Sequence, residues 1–254
     1  MTAAVLTLAL AFACTLLWLV SLRLRDVSII DVFWAPGFAL LAWAAAVAAA
    51  PFGPRTWLAL ALVSLWGLRL GLHILLRHKG EDHRYGEMRA KFGPRWWWRS
   101  LFQVFWLQAL LLWIISWPLQ VAVAASRPLN IVDAAGAALA AAGLLIEGLA
   151  DHQLTRFRAD AASAGKVMDR GLWSWSRHPN YFGDALMWWG FFLIGFAGAH
   201  DWWLLVSPVA MTILLLRVSG VSLLEETIAE RRPGYADYIR RTSAFVPLPP
   251  RRPS

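Results

Sequence analysis

The sequence predicts an all-α integral membrane protein with seven transmembrane helices, and three observations lead to this prediction. Hydrophobic residues make up 59% of the 254 residues and charged residues only 16%, whereas soluble domains carry about 25% charged residues. Apolar runs long enough to cross a bilayer follow one another along the chain. The Lys and Arg residues between these runs fall alternately on a cation-rich and a cation-poor side. We therefore expect residues 1–254 to form a single membrane domain.

Seven segments approach the length of about 20 residues that a transmembrane helix needs. They are residues 3–22, 29–50, 56–76, 101–124, 131–150, 181–199 and 202–224. The first segment has no basic stretch before it and is too long for a signal peptide, so we expect it to remain as a membrane span. Pro, Gly and Asn residues between the segments are typical of short turns.

The distribution of cations predicts the orientation of the helices. Twenty Lys and Arg residues fall on one side of the predicted membrane and two, Arg55 and Arg127, on the other, while Arg69 and Arg217 lie inside spans. Cytoplasmic loops carry the excess of Lys and Arg, and this alternation requires an odd number of spans. The sequence therefore predicts an N-terminus outside the cell and a C-terminus in the cytoplasm.

The net charge of +8 does not indicate a nucleic-acid partner, because the cations lie in short segments between apolar runs rather than on one polar face. Several of the 17 Trp residues, such as Trp96–Trp98, lie next to span ends, which is typical of the membrane interface. Cys14 is the only cysteine, so neither an intrachain disulfide nor a cysteine-based metal site can form. We expect membrane lipids as partners and a monomeric protein.

Ionisable residues near the end of the fifth span are functional candidates, because charges inside a bilayer are costly unless they are paired. Glu147 and Asp151 are four residues apart, and Arg158 follows seven residues after Asp151. If the helix continues, all three share one face. The alternative is a helix end that dips into the lipid headgroups.

The segment GLWSWSRHPNYFGD, residues 171–184, carries the strongest local signal. Arg177 and His178 precede a proline that suits the first turn of a helix. The free backbone N–H groups of that turn, together with Arg177, would bind an anion such as a phosphate. Asn180 and Asp184 lie on the same helix face, and Gly183 permits close approach of another backbone or a flat ring. The alternative is an interfacial helix start with cations that reach into the headgroups.

Two further rows of ionisable residues run along predicted spans at helical spacing. Arg69, His73 and Arg77 are each four residues apart in the third span, and Arg217 and Glu225 are eight apart in and after the last. Because charged side chains avoid lipid, we expect both rows to face the protein interior. They would serve there either as functional groups or as structural ion pairs.

Asp31 lies just inside the second span, where it is either a helix N-cap or a buried acid. The loop of residues 77–93 contains two His and three acidic residues, but no pair has a metal-ligand spacing, and the interleaved cations oppose a dication. We therefore predict no metal site and a solvated or phosphate-binding loop. Neither a G-x-G-x-x-G nor a Walker motif is present, so we expect no Rossmann-type nucleotide site.

Three of these motifs together resemble the C-terminal half of the steroid 5-alpha-reductase superfamily. They are SRHPNYFGD, the helix that carries Glu147-x-x-x-Asp151, and the ending Glu225…Tyr235-x-x-Tyr238…Phe245-Val246-Pro247. The stretch WGLRLGLHILLRHKGEDHRY resembles the uncharacterised bacterial branch of that superfamily. The resemblance covers most of the chain, is strongest over residues 140–250, and agrees with the family's seven spans.

The resemblance implies an enzyme of lipid metabolism in the bacterial inner membrane. Its activity would be that of an NADPH-dependent oxidoreductase acting on CH–CH bonds, which reduces a carbon–carbon double bond conjugated to a ketone in a steroid-like or other lipid. The residues that would hold NADPH by position are Glu147, Asp151, Arg158, Lys166, Asn180, Asp184 and Arg217, with Arg177, His178, Glu225 and Tyr235 beside them. The cations among them favour NADPH over NADH, because NADPH carries an extra phosphate.

The steroid enzymes of the family polarise the substrate ketone with a Glu in an early span and a Tyr in the third span. In this sequence Asp31 takes the place of that Glu, and Trp66 occupies the position of that Tyr. The resemblance therefore leaves Asp31, His73 and Tyr85 as candidate proton donors. Hydride would pass from NADPH to the β carbon of the enone, and a protonated Asp31 or His73 would stabilise the developing enolate oxygen.

Two other functions are alternatives. The isoprenylcysteine carboxyl methyltransferases resemble the same C-terminal half, with an RHP-x-Y-x-G segment and a late Glu and Tyr, but they use S-adenosylmethionine. Asn180 and Asp184, and the seven-span length, favour the reductases. A non-enzymatic lipid-binding or transport protein ranks lower, because the chain has no internal repeat of the kind common in transporters.

Overall fold

The computed structural model describes residues 2–218 and 234–251, and the regular structure of these residues is helical throughout. The α-helices are α1 (Thr2–Leu24), α2 (Ile29–Ala49), α3 (Pro54–Arg77), α4 (His83–Phe92), α5 (Trp96–Ser100), α6 (Leu107–Ile115), α7 (Trp117–Ala124), α8 (Ile131–Ala159), α9 (Pro179–Ala199), α10 (Val206–Ile213) and α11 (Tyr235–Arg241). Short 3-10 or π-helical turns occur between or after several of them, among them Gly93–Arg95, Leu101–Trp106, Gly171–Ser174 and Leu214–Val218. The predicted all-α fold is thereby confirmed for the described residues.

Six helical segments of the described residues are long and apolar enough to cross a membrane. They are Ala3–Leu24, Ile29–Ala49, Pro54–Arg77, His83–Ile115, Ile131–Ala159 and Pro179–Ala199. The predicted seventh span, residues 202–224, begins as a shorter apolar helical stretch, Trp202–Arg217, and residues 219–224 lie outside the described part of the chain. These helices are those of a multi-pass membrane protein, while the count of seven and the orientation of the termini stay predictions.

The fourth predicted span, residues 101–124, is divided between several helical segments in the structure. The helical stretch that could cross a membrane begins at His83 and ends at Ile115, and the separate helix α7 starts at Trp117. Pro118 lies in the first turn of α7. Because proline lacks the backbone N–H that would continue the hydrogen-bond ladder, it suits a helix start and not a helix interior.

Helix α8 ends at Ala159 rather than at residue 150. The added residues, DHQLTRFRA, contain neither Gly nor Pro, so the sequence holds no strong helix breaker there. Glu147, Asp151 and Arg158 therefore belong to one helix, which is the condition that their shared face required.

The chain divides into two compact units. The first contains Met1–Asp133 and Ile194–Leu204, and the second contains Ala134–Leu193 and Leu205–Ser254. In the first unit, glycines of α3 allow close contact with α2. A Cβ atom on Gly67 would lie 2.9 Å from the Ala35 carbonyl oxygen, and one on Gly71 would lie 2.7 Å from Cγ of Pro36. Such small residues are what membrane helices use to pack closely.

A buried ion pair anchors the start of α3 in the first unit. Arg55 Nε donates to Asp133 Oδ1 and Arg55 Nη2 to Asp133 Oδ2, both at 2.7 Å, and the two side chains are 1% and 2% exposed. The guanidinium also donates to the carbonyl oxygens of Arg127 and Pro128, at 2.8 and 2.9 Å. Both charges are thus met by hydrogen bonds, which ions buried away from water require.

Removing one partner of this pair should destabilise the protein strongly. Asp133→Asn would leave Arg55 charged and buried without a counter-ion, and such a loss costs about 3–5 kcal/mol. We expect a clear drop in the melting temperature of the purified protein in detergent. The control is Arg23→Gln, which removes an exposed cation from the end of α1 and should leave the melting temperature unchanged. Equal melting temperatures for D133N and the parent would show that the pair contributes nothing.

Candidate functional site

Four polar side chains meet in the first unit, where α2 and α4 begin. Asp82 caps α4, since its side chain accepts a hydrogen bond from the Arg84 backbone N–H at 3.0 Å. This start places Tyr85 in the first turn of α4, and the Tyr85 hydroxyl donates to Asp31 Oδ1 at 2.8 Å. Arg84 Nη2 donates to Asp31 Oδ2 at 3.0 Å. Gln108 of α6 is the fourth member, with Nε2 3.4 Å from Asp31 Oδ1 and 3.5 Å from the Tyr85 hydroxyl oxygen.

We call Asp31, Arg84, Tyr85 and Gln108 the Asp31–Tyr85 cluster. Tyr85 is 8% exposed, whereas the side chains of Asp31 and Arg84 are 25% and 41% exposed. The Arg84 guanidinium carbon lies 5.4 Å from the centre of the Tyr85 ring, within cation–π range. Arg84 therefore touches both the acid and the phenol, and its charge acts on each of them.

Asp82 holds Arg84 in this place. Partial burial raises the pKa of Asp82, but the hydrogen bonds and the charge of Arg84 outweigh it and hold the pKa below its usual value. Asp82 is therefore ionised at neutral pH, and it accepts from both the backbone N–H and Nε of Arg84, at 3.0 and 2.9 Å. The orientation of the guanidinium towards Asp31 follows from these two bonds.

The structure distinguishes between the two interpretations of Asp31, as a helix N-cap or as a buried acid. Ser28 occupies the N-cap position of α2, and Asp31 lies in the first turn of that helix. The N-cap interpretation is therefore wrong, because the helix begins earlier than that position required. Asp31 is instead a partly buried acid with hydrogen-bond donors on both carboxylate oxygens.

Of the three candidate proton donors, the structure brings Asp31 and Tyr85 into direct contact. His73 lies on α3 with its Nε2 3.1 Å from Arg77 Nη1. Arg77, the last residue of α3, is exposed, while Arg69 and His73 are partly buried.

Trp66, which occupies the position of the family's tyrosine, is not part of the Asp31–Tyr85 cluster. It is fully buried and packs against Phe38 with ring centres 5.8 Å apart. The only phenol in the Asp31–Tyr85 cluster is therefore that of Tyr85, which comes from α4 rather than from the third span.

In the second unit, α8 and α9 touch backbone to backbone. A Cβ atom on Gly143 would lie 2.5 Å from the Gly183 carbonyl oxygen, and one on Gly183 would lie 2.6 Å from the Glu147 backbone nitrogen. Farther along, a Cβ atom on Gly190 would lie 2.6 Å from the Ala140 backbone nitrogen. The close approach predicted for Gly183 is therefore to the backbone of α8 and not to a flat ring.

The two helices in this contact carry three buried acidic residues. Glu147 is 3% exposed, Asp151 4% and Asp184 7%. Asn180 Nδ2 donates to Asp151 Oδ1 at 3.2 Å, so two residues predicted to hold the same cofactor are in contact. Asn180 Oδ1 is buried and accepts no hydrogen bond within the described part of the chain.

Arg177 and His178 precede α9 and are buried, with 9% and 4% exposed. Arg177 Nη1 donates to the carbonyl oxygens of Thr242 at 2.7 Å and of Ile239 at 3.2 Å, at the end of α11, where helix carbonyls lack intrahelical partners. His178 stacks on Tyr181 with ring centres 5.6 Å apart and planes within 3°. Arg177 thus holds the C-terminal segment, a structural task that the sequence did not predict for it.

Tyr238 of α11 also attaches the C-terminal segment to the residues before α9. Its hydroxyl donates to the Trp173 carbonyl oxygen and lies 3.3 Å from that of Ser176. Burial, and then the neighbouring Tyr235, raise the pKa of Tyr238, so its hydroxyl stays protonated and able to donate. Trp173 Nε1 in turn donates to the Ala150 carbonyl oxygen of α8 at 3.0 Å. The segment before α9 is therefore held by hydrogen bonds to α11 and to α8.

The remaining predicted cofactor residues differ in their exposure. Arg158, Lys166 and Arg217 are exposed. Tyr235 is 5% exposed and packs against Tyr238 with ring centres 5.7 Å apart, and Glu225 lies outside the described residues. Within residues 2–218 and 234–251, no group of three or more His, Cys, Asp and Glu side chains is arranged to hold a metal ion.

The sequence interpretation missed Arg84, Gln108 and Trp173. Gln108 had a usable signal, because it is a polar side chain inside an apolar run, LFQVFWLQALLLW, where polar groups need a reason. Arg84 had none, since it sits in a stretch that is charged throughout. Trp173 could not be distinguished by sequence from tryptophans of the membrane interface.

Comparison with known proteins finds relatives but assigns no activity. The profile of a family described as "Protein of unknown function (DUF1295)" matches residues 17–242. An uncharacterised protein of Schizosaccharomyces pombe is 27% identical over 215 residues, which cover 73% of this chain and 61% of the yeast protein. The chain thus spans less than two thirds of the length of that relative. No solved structure matches the chain.

The α8–α9 contact can be tested with one methyl group. Gly183→Ala would place a Cβ atom 2.6 Å from two backbone atoms of α8, so the helices must separate, at a cost of about 1–3 kcal/mol or more. We expect a lower melting temperature. Gly86→Ala is the matched control, because a Cβ atom there meets nothing within 4 Å and Ala is favoured in helices by up to about 1 kcal/mol. A melting temperature for G183A equal to that of G86A would contradict the contact.

Proposed function

The chain belongs to the DUF1295 family, and we propose that it is a membrane-embedded reductase that uses NADPH to reduce a carbon–carbon double bond conjugated to a ketone in a steroid-like or other lipid. The resemblance of SRHPNYFGD and of the Tyr235-x-x-Tyr238 ending to the steroid 5-alpha-reductase superfamily supports the proposal. The observation that carries it is the hydrogen bond of 2.8 Å between the Tyr85 hydroxyl and Asp31. Enone reduction needs a proton donor at the ketone oxygen, and this pair can supply one.

Tyr85 is the group that we assign as proton donor. When a hydride adds to the β carbon of an enone, negative charge develops on the ketone oxygen and must be stabilised there. NADPH supplies that hydride when it is bound. The Tyr85 hydroxyl is buried and can turn from Asp31 Oδ1 to a substrate oxygen, and Gln108 Nε2, 3.5 Å from the same hydroxyl, can donate a second hydrogen bond.

Asp31 and Arg84 act on Tyr85 as positioning residues. The carboxylate orients the hydroxyl, and Arg84 at 3.0 Å offsets the carboxylate charge, which would otherwise oppose a negative charge developing on the phenol oxygen. This assignment differs from the protonated Asp31 or His73 expected from the sequence. The reason is the pairing itself, since both oxygens of Asp31 accept hydrogen bonds, one of them from a guanidinium.

The candidate cofactor residues of the second unit carry chemical groups that are suited to binding NADPH. The buried carboxylates of Glu147, Asp151 and Asp184 suit ribose hydroxyls and amino groups, which donate hydrogen bonds. The buried Asn180 Oδ1 is a further acceptor. The exposed Arg158 and Lys166 suit phosphates. Together these groups cover the donor and acceptor types that a dinucleotide presents.

One observation favours a second candidate, an S-adenosylmethionine-dependent methyltransferase of the isoprenylcysteine carboxyl type. S-adenosylmethionine carries a sulfonium and an ammonium, and buried acids stabilise cations. Three of the candidate cofactor residues are buried acids, whereas Arg158, Lys166 and Arg217 are exposed. The two cofactors differ in the sign of the charge that they bring, so direct binding separates them.

The proposal also includes the predicted topology. It places the protein in the bacterial inner membrane as a monomer with seven spans, its N-terminus outside and its C-terminus in the cytoplasm. The excess of cations in four of the loops and tails supports that orientation.

Cofactor binding is tested by the melting temperature of the purified full-length protein with NADPH or S-adenosylmethionine. We expect NADPH to stabilise it, because a ligand at 100 times its Kd adds about 2.7 kcal/mol. Asp151→Asn and Asn180→Ala should each raise the Kd for NADPH about tenfold, the worth of one hydrogen bond to a charged group. His152→Ala, an exposed neighbour on α8, is the control.

The outcomes of that test separate the three functions. Stabilisation by S-adenosylmethionine alone would contradict the reductase proposal and favour the methyltransferase. Stabilisation by neither cofactor, with lipid binding retained, would favour a non-enzymatic lipid-binding protein.

The proton donor is tested by NADPH oxidation with a panel of enone lipids in membranes. Tyr85→Phe should lower kcat by about 10²- to 10⁴-fold, the usual contribution of a general acid, while the melting-temperature shift with NADPH stays as in the parent. Asp31→Asn should lower kcat less, because it disturbs the orientation of the phenol and leaves its proton in place. Asp201→Asn, an acid outside the Asp31–Tyr85 cluster, is the control. If Y85F had the same kcat as the parent, Tyr85 would not be the proton donor.

A further inference from the structure

We propose that a cavity at the end of α1, in the first unit, binds the headgroup of a phospholipid and recognises its phosphate. The cavity has a volume of about 400 Å³. Six of the residues that line it carry the argument: Ser21, Arg25, Arg89, Trp96, Trp97 and Ser100. No member of the Asp31–Tyr85 cluster lines the cavity, so the inference is independent of the proposed reaction.

The cavity lies where a candidate membrane span ends. Helix α1 contains the apolar segment Ala3–Leu24, and Arg23 and Arg25 mark its end. Trp18 stacks on Trp97 with ring centres 6.3 Å apart, and Trp18 Nε1 donates to the Trp97 carbonyl oxygen at 2.8 Å. Tryptophans next to cations are typical of the depth at which lipid headgroups lie.

The surface beside the cavity is apolar, which favours a lipid over a dissolved anion. Leu19 is 50% exposed, Leu24 59% and Trp97 56%. In a membrane, such side chains are covered by acyl chains. A phospholipid whose chains cover these residues would have its headgroup at the mouth of the cavity.

Trp96, which lines the cavity, carries a buried donor that lacks an acceptor. Its side chain is held by stacking on Phe92, with ring centres 6.0 Å apart and planes within 7°. The residue is 2% exposed, and its indole Nε1 has no hydrogen-bond partner in the described part of the chain. A buried N–H without an acceptor costs free energy, and an oxygen of a phosphate in the cavity would satisfy it.

Two arginines supply the positive charge. Arg89 Nε and Nη2 donate to Glu81 at 2.8 and 2.7 Å, which occupies one edge of the guanidinium and leaves Nη1 for a ligand. Burial raises the pKa of Glu81, but the bonds from Arg89 and from the Val27 backbone N–H outweigh it and hold the pKa below its usual value. Glu81 is therefore ionised and keeps Arg89 in place. Arg25 is exposed at the rim, with a φ of 55° that ends α1.

Two serines add acceptors to these donors. Ser21 Oγ donates to the Trp18 carbonyl oxygen at 2.7 Å, and Ser100 Oγ donates to that of Trp97 at 2.9 Å. Their hydroxyl protons are thereby used, and their oxygens can accept hydrogen bonds. A headgroup that joins a phosphate to N–H or O–H donors matches this set. Phosphatidylethanolamine and phosphatidylglycerol have such donors, and phosphatidylcholine has none.

The test is the melting temperature of the full-length protein in detergent, titrated with each lipid. We expect phosphatidylethanolamine and phosphatidylglycerol to raise it, and phosphatidylcholine or inorganic phosphate to leave it near its starting value. Trp96→Phe keeps an aromatic ring and removes the N–H, so the half-saturating concentration of phosphatidylethanolamine should rise about tenfold. Trp98→Phe changes a neighbouring tryptophan that does not line the cavity and should bind as the parent does.

A second pair of variants gives the same comparison if W96F fails to fold. Arg25→Gln should weaken binding of phosphatidylglycerol, whereas Arg23→Gln, outside the lining, should not. Equal half-saturating concentrations within each pair would overturn the proposal. An equal response to inorganic phosphate would overturn the lipid as the source, and an equal response to phosphatidylcholine would overturn headgroup recognition.

Discussion

Inside the hydrocarbon of a bilayer no water is available to hydrogen-bond a polar group, so each polar atom that the chain carries into it needs a partner within the protein. Helices meet this demand for the backbone, which is why the described regular structure is helical throughout. For several side chains the demand is met by pairing. Arg55 shows the result in full, since its buried guanidinium reaches both oxygens of Asp133 and two backbone carbonyl oxygens.

Close helix contact is the second consequence of the same environment. Lipid chains are as apolar as leucine, so burying apolar surface drives helix association only weakly, and tight packing of small residues takes over. Gly143 and Gly183 bring the backbones of α8 and α9 together. The buried acids Glu147, Asp151 and Asp184 are thus carried by two helices that cannot slide or separate freely, which gives these side chains a more rigid support than a loop would.

The parts of the fold that the sequence predicted are those that depend on averages or on local spacing. Hydropathy summed over about 20 residues identifies spans, and the spacing of Glu147 and Asp151 correctly placed both on one helix. Helix ends were harder, because Pro118 starts a new helix within a run that is apolar throughout. Hydropathy does not register such a change in backbone geometry.

The contacts that sequence reasoning could not supply join residues far apart in the chain. Tyr85 and Asp31 are separated by 54 residues, and the separation between Arg177 and Thr242 is 65. Local patterns identify the residue types that meet at such places but not the pairs. Arg177 was therefore predicted to bind a phosphate from its position before a helix, whereas its guanidinium donates to the carbonyl oxygens of Ile239 and Thr242 at the end of α11.

Helix α4 links the two polar sites of the first unit. Tyr85 and Arg89 are four residues apart on it and so point to one side, one towards Asp31 and the other towards Glu81 and the cavity. The loop before α4 is tied to the α1–α2 turn, because the Asp82 backbone N–H donates to Ser28 Oγ at 2.6 Å and Glu81 accepts from the Val27 backbone N–H at 3.0 Å. A headgroup that fixes Arg89 therefore also restrains the short helix that carries Tyr85. The membrane would then act on the phenol through about one turn of helix, without touching it.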